Sequence, residues 1–272
     1  TVGWRYPNPR MDELYPIISL GETAENIAKE LRIGRMEQDS FALESQRRAI
    51  DAINSQKFKD EIHPISVKQR KRAPIMVDTD EYPRYMIENG QYKLDTDMDQ
   101  LSRLKPAFRK NGTVTAGNSS GINDGAAALL LMSTKKAEEL ELNPIARWVG
   151  SAVAGVDPGF MGYGPVPATE KLLKRLGLSV PDIGLVEINE AFAAQTIGVM
   201  QKMKLDHTIT NVNGGAIALG HPLGCSGARI ITTLLHEMKR RKKDRDLPFY
   251  GLASLCVGVG QGVSTIVELI HE

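Results

Sequence analysis

From Thr113 onward, short apolar runs alternate with stretches of helical periodicity, and the chain closes on two β-patterned runs around a glycine turn. That alternation is the strongest constraint on the fold. Strands that alternate with helices bury both faces of a sheet and produce a layered α/β architecture. Residues 126–132 form a continuous apolar run, which predicts a buried strand followed by a helix to about residue 142. Further strands are predicted over 145–153, 183–188, 250–256 and 263–270, with a strand end at 210–213. Helices are predicted over 168–176, 190–203 and 226–239. In the last of these, Ile230, Ile231, Leu234, Leu235 and Met238 recur at helical spacing.

The first half reads differently. Residues 23–33 and 35–54 predict two helices, with Thr23 as a candidate N-cap and Gly34 as the break between them. In the second, Phe41, Ala42, Ala49, Ile50 and Ile53 share an apolar face. Residues 55–112 are polar and interrupted by Pro64, Pro74, Pro83 and Pro106, an irregular excursion with a few short strands. No short-period repeat is present.

Composition narrows the function classes. A net charge of +1 offers no global field to recruit nucleic acid or an anionic membrane. No apolar run approaches the roughly 20 residues that span a bilayer. The basic runs 68–72 and 239–243 lack interleaved aromatics and read as solvated faces. Two cysteines, Cys225 and Cys256, make no disulfide framework and fit a reducing compartment. No Cys/His cluster has zinc spacing. The start, Thr1 to Trp4, carries no initiator Met and no apolar leader, so the chain is expected to begin within a longer protein.

Chemistry concentrates in a few loops. Residues 213–224 (NGGAIALGHPLG) place His221 among glycines. Glycine permits sharp turns and close ligand approach, so His221 is a candidate catalytic group. Asn189 follows a predicted strand, where α/β sheets place ligands, although spacing alone favours a helix N-cap. Cys256 ends a strand beside alternate glycines, and a free N–H at Gly258 could stabilise an oxyanion. Taken alone, Cys256 also reads as a small buried apolar residue. Cys225 opens a helix, where a thiol pKa can fall, yet packing accounts for it as well. Residues 113–125 (TVTAGNSSGINDG) suit contact with an extended ligand or an ordinary turn-rich connector. His63, His207, His236 and His271 lack a glycine context and read as structural or exposed.

Taken together and in order, Asn189-Glu190-Ala191-Phe192, Gly220-His221-Pro222 and Cys256-Val257-Gly258 resemble the signature series of the thiolases, which form or cleave 3-ketoacyl-CoA. The resemblance extends over nearly the whole chain, including residues 21–26, 35–46, 106–108 and 113–125. It implies a thiolase-like layered αβαβα fold. On this basis 1–121 is a coenzyme-A-binding loop domain, and 122–143 is the last strand and helix of the N-terminal domain. Residues 144–272 then form a complete C-terminal domain. It also implies roles. His221 deprotonates the nucleophilic cysteine and helps bind the thioester oxygen, while Asn189 fixes a water that completes this first oxyanion hole. Cys256 is the acid/base at the substrate α-carbon, and the Gly258 N–H contributes to the second oxyanion hole. An ordinary thiol titrates near about 8.5, so Cys256 can act only on an enolate that is stabilised as it forms. Leu20, Arg84, Phe108, Ala116, Gly117, Ser120, Ile122, Ala191 and Phe192 match positions that line the coenzyme A site, Leu20 standing where many members have Met.

Two departures accompany the resemblance. The family's acyl-accepting cysteine would precede Thr1, and neither Cys225 nor Cys256 matches it. The chain is therefore expected to lack most of the N-terminal domain and to be inactive alone. The family's serine near the adenine falls at Gln100, preceded by an insertion around 87–94. Coenzyme A and acetyl-CoA are expected as substrates, with no cofactor and no metal. The intact protein is expected to be a homodimer or homotetramer, cytoplasmic with a mitochondrial or peroxisomal place left open, without nucleic-acid or membrane partners. Two rivals stand beside this reading. A non-catalytic CoA-ester-binding or lipid-carrier module needs none of Asn189, His221 and Cys256. A ketoacyl synthase typically uses two histidines where this chain offers one histidine and Cys256.

Overall fold

The computed structural model describes residues 6–242 and 248–270. After a short helix α1 (Pro9–Asp12) come α2 (Leu20–Leu31) and α3 (Arg35–Asn54). Ser19, rather than Thr23, caps α2: its hydroxyl accepts from the Glu22 N–H at 3.3 Å. Thr23 lies inside the first turn and donates back to the Leu20 carbonyl at 2.6 Å. Gly34 opens α3 as predicted, and Phe41, Ala42, Ala49 and Ile50 are buried along it.

The excursion contains two small antiparallel hairpins, β1 (Ile65–Val67) with β2 (Ile75–Val77) and β3 (Tyr85–Glu88) with β4 (Gln91–Leu94), then α4 (Met98–Ser102). The inserted stretch at 87–94 forms the end of β3, the two-residue turn at 89–90 and the whole of β4. Residues 68–72 are exposed, as expected of a solvated basic face. His63 is exposed, and His271, Thr1 to Trp4 and Lys243 lie outside the described residues.

The expected strand over 126–132 does not form. The segment is extended coil, with Leu130 82% and Leu131 71% exposed. A strand is held by ladder bonds to a neighbour, and among the described residues no strand pairs with this run. The helix after it, α5 (Thr134–Glu139), is shorter than expected.

The remainder builds one four-stranded mixed sheet in the order β5-β8-β7-β6, from β5 (Ala146–Gly155), β6 (Ile183–Ile188), β7 (Tyr250–Val257) and β8 (Gln261–Leu269). β6 and β7 run parallel, whereas β7 and β8 form the closing antiparallel hairpin. Between them lie α6 (Pro165–Leu176), α7 (Ala193–Met203), α8 (Ala216–Leu219) and α9 (Leu223–Arg241). The expected helix over 190–203 begins only at Ala193, because residues 189–192 serve the site described below. The expected strand end near 210 is a single bridge from Thr210 to Val186.

Alternation along the strands sorts the core into layers. Val186, Ile188, Leu252 and Ile266 point to one face, where they meet Leu172 and Leu173 of α6 and Val199 and Met203 of α7. Leu185, Ala253 and Val267 point to the other, against Ile230, Leu234 and Met238 of α9. A third cluster joins Ile27, Ile33, Phe41 and Ala42 of the first two long helices to Tyr163, Ala193, Ile197 and Ile217. The N-terminal helices thus share a core with the C-terminal half. Replacing fully buried Ile266 by alanine should cost about 3 kcal/mol of stability in urea denaturation. Leu130→Ala should cost less than about 0.5 kcal/mol, and a large loss there would mean that the 126–132 run is packed after all.

Candidate active site

Three elements deliver the predicted groups to one place. β6 ends at Ile188, and the next residue, Asn189, is wholly buried with its N–H donated to the Ser254 carbonyl of β7 at 2.9 Å. Asn189 is therefore not a helix cap; the N-cap of α7 is Phe192. Cys256 lies two residues beyond Ser254 on the same parallel neighbour. It packs with Ala24, Val114, Met161, Ala191 and Phe192, with Leu20 and Phe108 against the cluster. Four of the residues matched to a coenzyme A site, Leu20, Phe108, Ala191 and Phe192, thus surround the thiol. Phe108 and Phe192 meet edge to face at 5.9 Å.

The glycine loop is shaped from beneath. Buried Glu190 accepts from Ser45 Oγ at 2.7 Å, Asn211 Nδ2 at 2.8 Å and the Ile217 N–H at 3.2 Å. A Cβ on Gly215 would fall on that carboxylate, so only glycine passes it. Gly220 has φ +90° and lies against the Asn123 side chain, which turns the chain into His221. The His221 N–H then donates to the Gly121 carbonyl at 3.0 Å.

His221 is gripped at both ring nitrogens. Nδ1 lies 2.6 Å from Ser226 Oγ, in the first turns of α9. Nε2 lies 3.3 Å from Asn189 Nδ2. With the amide donating to Nε2, the ring proton sits on Nδ1 and is donated to the serine, leaving Nε2 as the basic nitrogen. Burial, reinforced by Arg229, holds the His221 pKa below its ordinary value, so the ring is a neutral base. Asn189 Oδ1 is buried without a hydrogen-bond partner among the described residues. An orphaned buried oxygen of this kind suits an amide that holds a water.

Burial pushes the Cys256 thiol up to about 12. Cys225 opens α9, where a thiol pKa can fall, yet burial raises it, in keeping with a packing role. The Gly258 amide sits in the β7–β8 turn, where even an added Cβ would meet open space, so a ligand can approach it.

The 113–125 stretch is no ordinary connector. Glu25 of α2 accepts from the Thr113 and Val114 N–H groups at 2.8 Å each, and Asp39 of α3 accepts from Asn118 Nδ2 at 2.9 Å. So anchored, the loop bonds to the site: the Ser120 N–H donates to the Ala191 carbonyl and the Ala193 N–H to the Asn118 carbonyl. Gly117 is buried against Leu101 and Leu104, while Ala116 and Ile122 are exposed. Arg84 is exposed ahead of β3, its N–H donated to Gln46 Oε1 and its carbonyl accepting from the Asp95 N–H, and it stands apart from the Cys256 cluster. Gln100 is exposed on α4. His207 stacks on Phe41 and is structural, as expected.

Sequence reasoning missed Ser226, Arg229 and Glu187. Glu187 is buried on the α9 side of β6, and its Oε2 lies 3.6 Å from Arg229 Nη1. Burial pushes its carboxyl up to about 8, against the pull of Arg229. A carboxyl that keeps its proton longer in the folded chain loses stability as pH rises from the ordinary carboxylate range towards 8. Glu187→Gln should flatten that part of the stability–pH curve. An unchanged slope in urea melts between pH 5 and 8 would refute this. Among the described residues no group of three or more His, Cys, Asp or Glu is placed to hold a metal ion. Among them no helix is long and apolar enough to cross a membrane.

The model of the thiolase C-terminal domain matches residues 142–269, and that of the thiolase N-terminal domain matches residues 9–135. An acetyl-CoA acetyltransferase of Chromobacterium violaceum is 51% identical over 261 residues, covering 96% of this chain and 63% of that protein. The 3-oxoadipyl-CoA/3-oxo-5,6-dehydrosuberyl-CoA thiolase of Escherichia coli K12 is 47% identical, over 99% of this chain and 64% of its own length. Among solved structures, the Bacillus anthracis acetyl-CoA acetyltransferase superposes with TM-score 0.86 at 46% identity, covering 98% of this chain and 66% of that one. The human mitochondrial 3-ketoacyl-CoA thiolase in complex with CoA gives TM-score 0.80 at 41% identity, covering 93% of this chain and 60% of that one. The chain thus spans roughly three fifths of the length of these relatives. Sequence of both domains is present, so the expectation of a chain without most of its N-terminal domain finds no support in these matches.

Proposed function

This chain belongs to the thiolase family, and from that premise we propose that it carries the coenzyme A site and the His221, Asn189 and Cys256 machinery of a thiolase-type acyltransferase. The reaction is acyl transfer between coenzyme A and acetyl-CoA through an acyl-cysteine, as 3-ketoacyl-CoA thiolysis or its Claisen reverse. Coenzyme A and its thioesters are substrates, and no cofactor is required. The observation that carries the proposal is His221, held neutral at both ring nitrogens beside the parallel strand ends that present Asn189 and Cys256.

Each group has a task its surroundings favour. Nε2 of His221 takes the proton of the nucleophilic thiol and then donates towards the thioester oxygen. Asn189 supplies the water of the first oxyanion hole, and the open Gly258 N–H faces the acyl-enzyme oxygen in the second. Cys256, neutral at physiological pH, hands its proton to the enolate released when the C2–C3 bond breaks, and recovers it in the reverse direction. Leu20, Phe108, Ala191 and Phe192 line the route beside the thiol. Arg84, Ala116, Gly117, Ser120 and Ile122 complete the coenzyme A site.

Neither cysteine of this chain is suited to accept the acyl group, since a nucleophilic thiol needs a lowered pKa and burial raises both. The 272-residue chain alone should give no thiolysis. A chimera in which it replaces the matching segment of an acetyl-CoA acetyltransferase relative should turn over. Thiolysis by the chain alone would overturn the assignment of the nucleophile, and a folded but inert chimera would overturn the function. A homodimeric or homotetrameric intact enzyme fits the exposed apolar side chains Leu130, Leu131, Leu142 and Trp148, which a partner surface would cover.

A further inference from the structure

Beneath His221 lies a charged cluster that the reaction does not use. Arg229 stands on α9 one turn after Ser226, so both side chains share a helix face. Its guanidinium acts electrostatically on Glu187 and Glu190 at the end of β6, on Glu61 and Asp80 from the excursion, and on Cys225 and His221. Its Nη1 and Nη2 are buried yet make no hydrogen bond among the described residues, and the nearest carboxylate oxygen, on Glu187, is 3.6 Å away. Glu187 precedes Asn189 by two residues on the same strand end. Arg229 and Glu187 therefore face each other across the junction whose two sides supply the two contacts of the imidazole.

We propose that Arg229 is a positioning residue for His221: set against Glu187, it seats the first turns of α9 on the end of β6, so that Ser226 and Asn189 grip one neutral tautomer of the ring. With Nη1 and Nη2 unbonded among the described residues, the guanidinium stands as a buried cation beside Glu187. A nearby cation disfavours a second cation, so the imidazole stays uncharged and its basic electron pair stays at Nε2. The ring itself meets Ser226 of α9 and Asn189 beyond β6 and feels the charge of Arg229, whereas Glu187, Glu190, Glu61, Asp80 and Cys225 are coupled to Arg229. Among them Arg229 is the group with fixed positive charge. The inference rests on His221 being the base of the proposed reaction, but its test uses the free chain without coenzyme A. An unaltered ring in folded Arg229→Gln leaves the acyltransferase reading standing, a proton fixed on Nε2 removes both, and an inert chimera leaves this test valid.

The experiment is nitrogen-15 NMR of the histidine rings in the unmodified chain and in Arg229→Gln and Arg229→Lys, with His221 assigned by the signal lost in His221→Asn. In the unmodified chain, His221 should titrate below the ordinary histidine value of about 6.5, with Nδ1 protonated and Nε2 bare. Arg229→Gln should raise its midpoint by about one pH unit and mix the two tautomers, leaving His207 and His236 unmoved. Arg229→Lys should keep the midpoint near that of the unmodified chain while mixing the tautomers, since it restores charge without the planar span. An unaltered midpoint and tautomer in folded Arg229→Gln would overturn the proposal. If that variant does not fold, the unmodified chain still decides: a midpoint at or above the ordinary value, or a proton fixed on Nε2, overturns it.

Discussion

In the chimeric enzyme, His221→Ala should lower acyl-enzyme formation by about 10³-fold, the scale of a lost general base that also serves an oxyanion hole. Mass spectrometry of protein quenched with acetyl-CoA reads the loss directly. Cys256→Ala gives the complementary pattern: the acyl adduct accumulates as before, while condensation falls by a similar factor. The split follows from the two environments. His221 is a neutral imidazole with a defined basic nitrogen. Cys256 is a buried thiol held protonated, useful for exchanging a proton with an enolate and poor at attacking a carbonyl. Equal acylation of the His221→Ala and unmodified chimeras would remove His221 from the proposed chemistry.

Glu190→Ala should destabilise the free chain by about 3 kcal/mol in urea denaturation, the scale expected when one member of a buried polar network is removed. The carboxylate receives three hydrogen bonds from α3, the 211 turn and α8, and deletion leaves Ser45, Asn211 and the Ile217 N–H to find other partners. Glu190→Gln should cost less, since an amide oxygen still accepts two of them. The glycine loop should loosen before the sheet does, seen as faster amide exchange at residues 214–220 than in α9. A Glu190→Ala chain as stable as the unmodified one would mean that the loop is shaped by its own backbone alone.

Much of this was legible in the sequence where local pattern and tertiary need agree. α3 begins at Arg35 and ends at Asn54, because Gly34 offers no competing helical preference and the apolar stripe of Phe41, Ala42, Ala49 and Ile50 has a core to enter. β6 spans Ile183 to Ile188 as predicted, since a strand buried on both faces reads as an apolar run. The same rule misled at 126–132, where the run is equally apolar but no neighbouring strand stands beside it. Periodicity reports what a segment would bury, and the partner is a separate fact.

The site divides along the same line. Asn189, His221 and Cys256 are signalled by unusual residues in glycine-rich or strand-end settings, which sequence displays. Ser226, Arg229 and Glu187 are ordinary residues in ordinary elements, and only the register of α9 on β6 brings them to the imidazole. Glu25 and Asp39 are likewise unremarkable polar positions until the 113–119 loop folds onto them.

The account stands on an amide, an imidazole and a thiol meeting at one thioester. The most direct measurement is a titration of the isotope-labelled chain with acetyl-CoA, following the Asn189 side-chain amide, the His221 ring and the Cys256 Cβ by NMR. All three should shift along one saturation curve with a single midpoint. Separate midpoints, or a shift in one group while another stays still, would contradict the convergence.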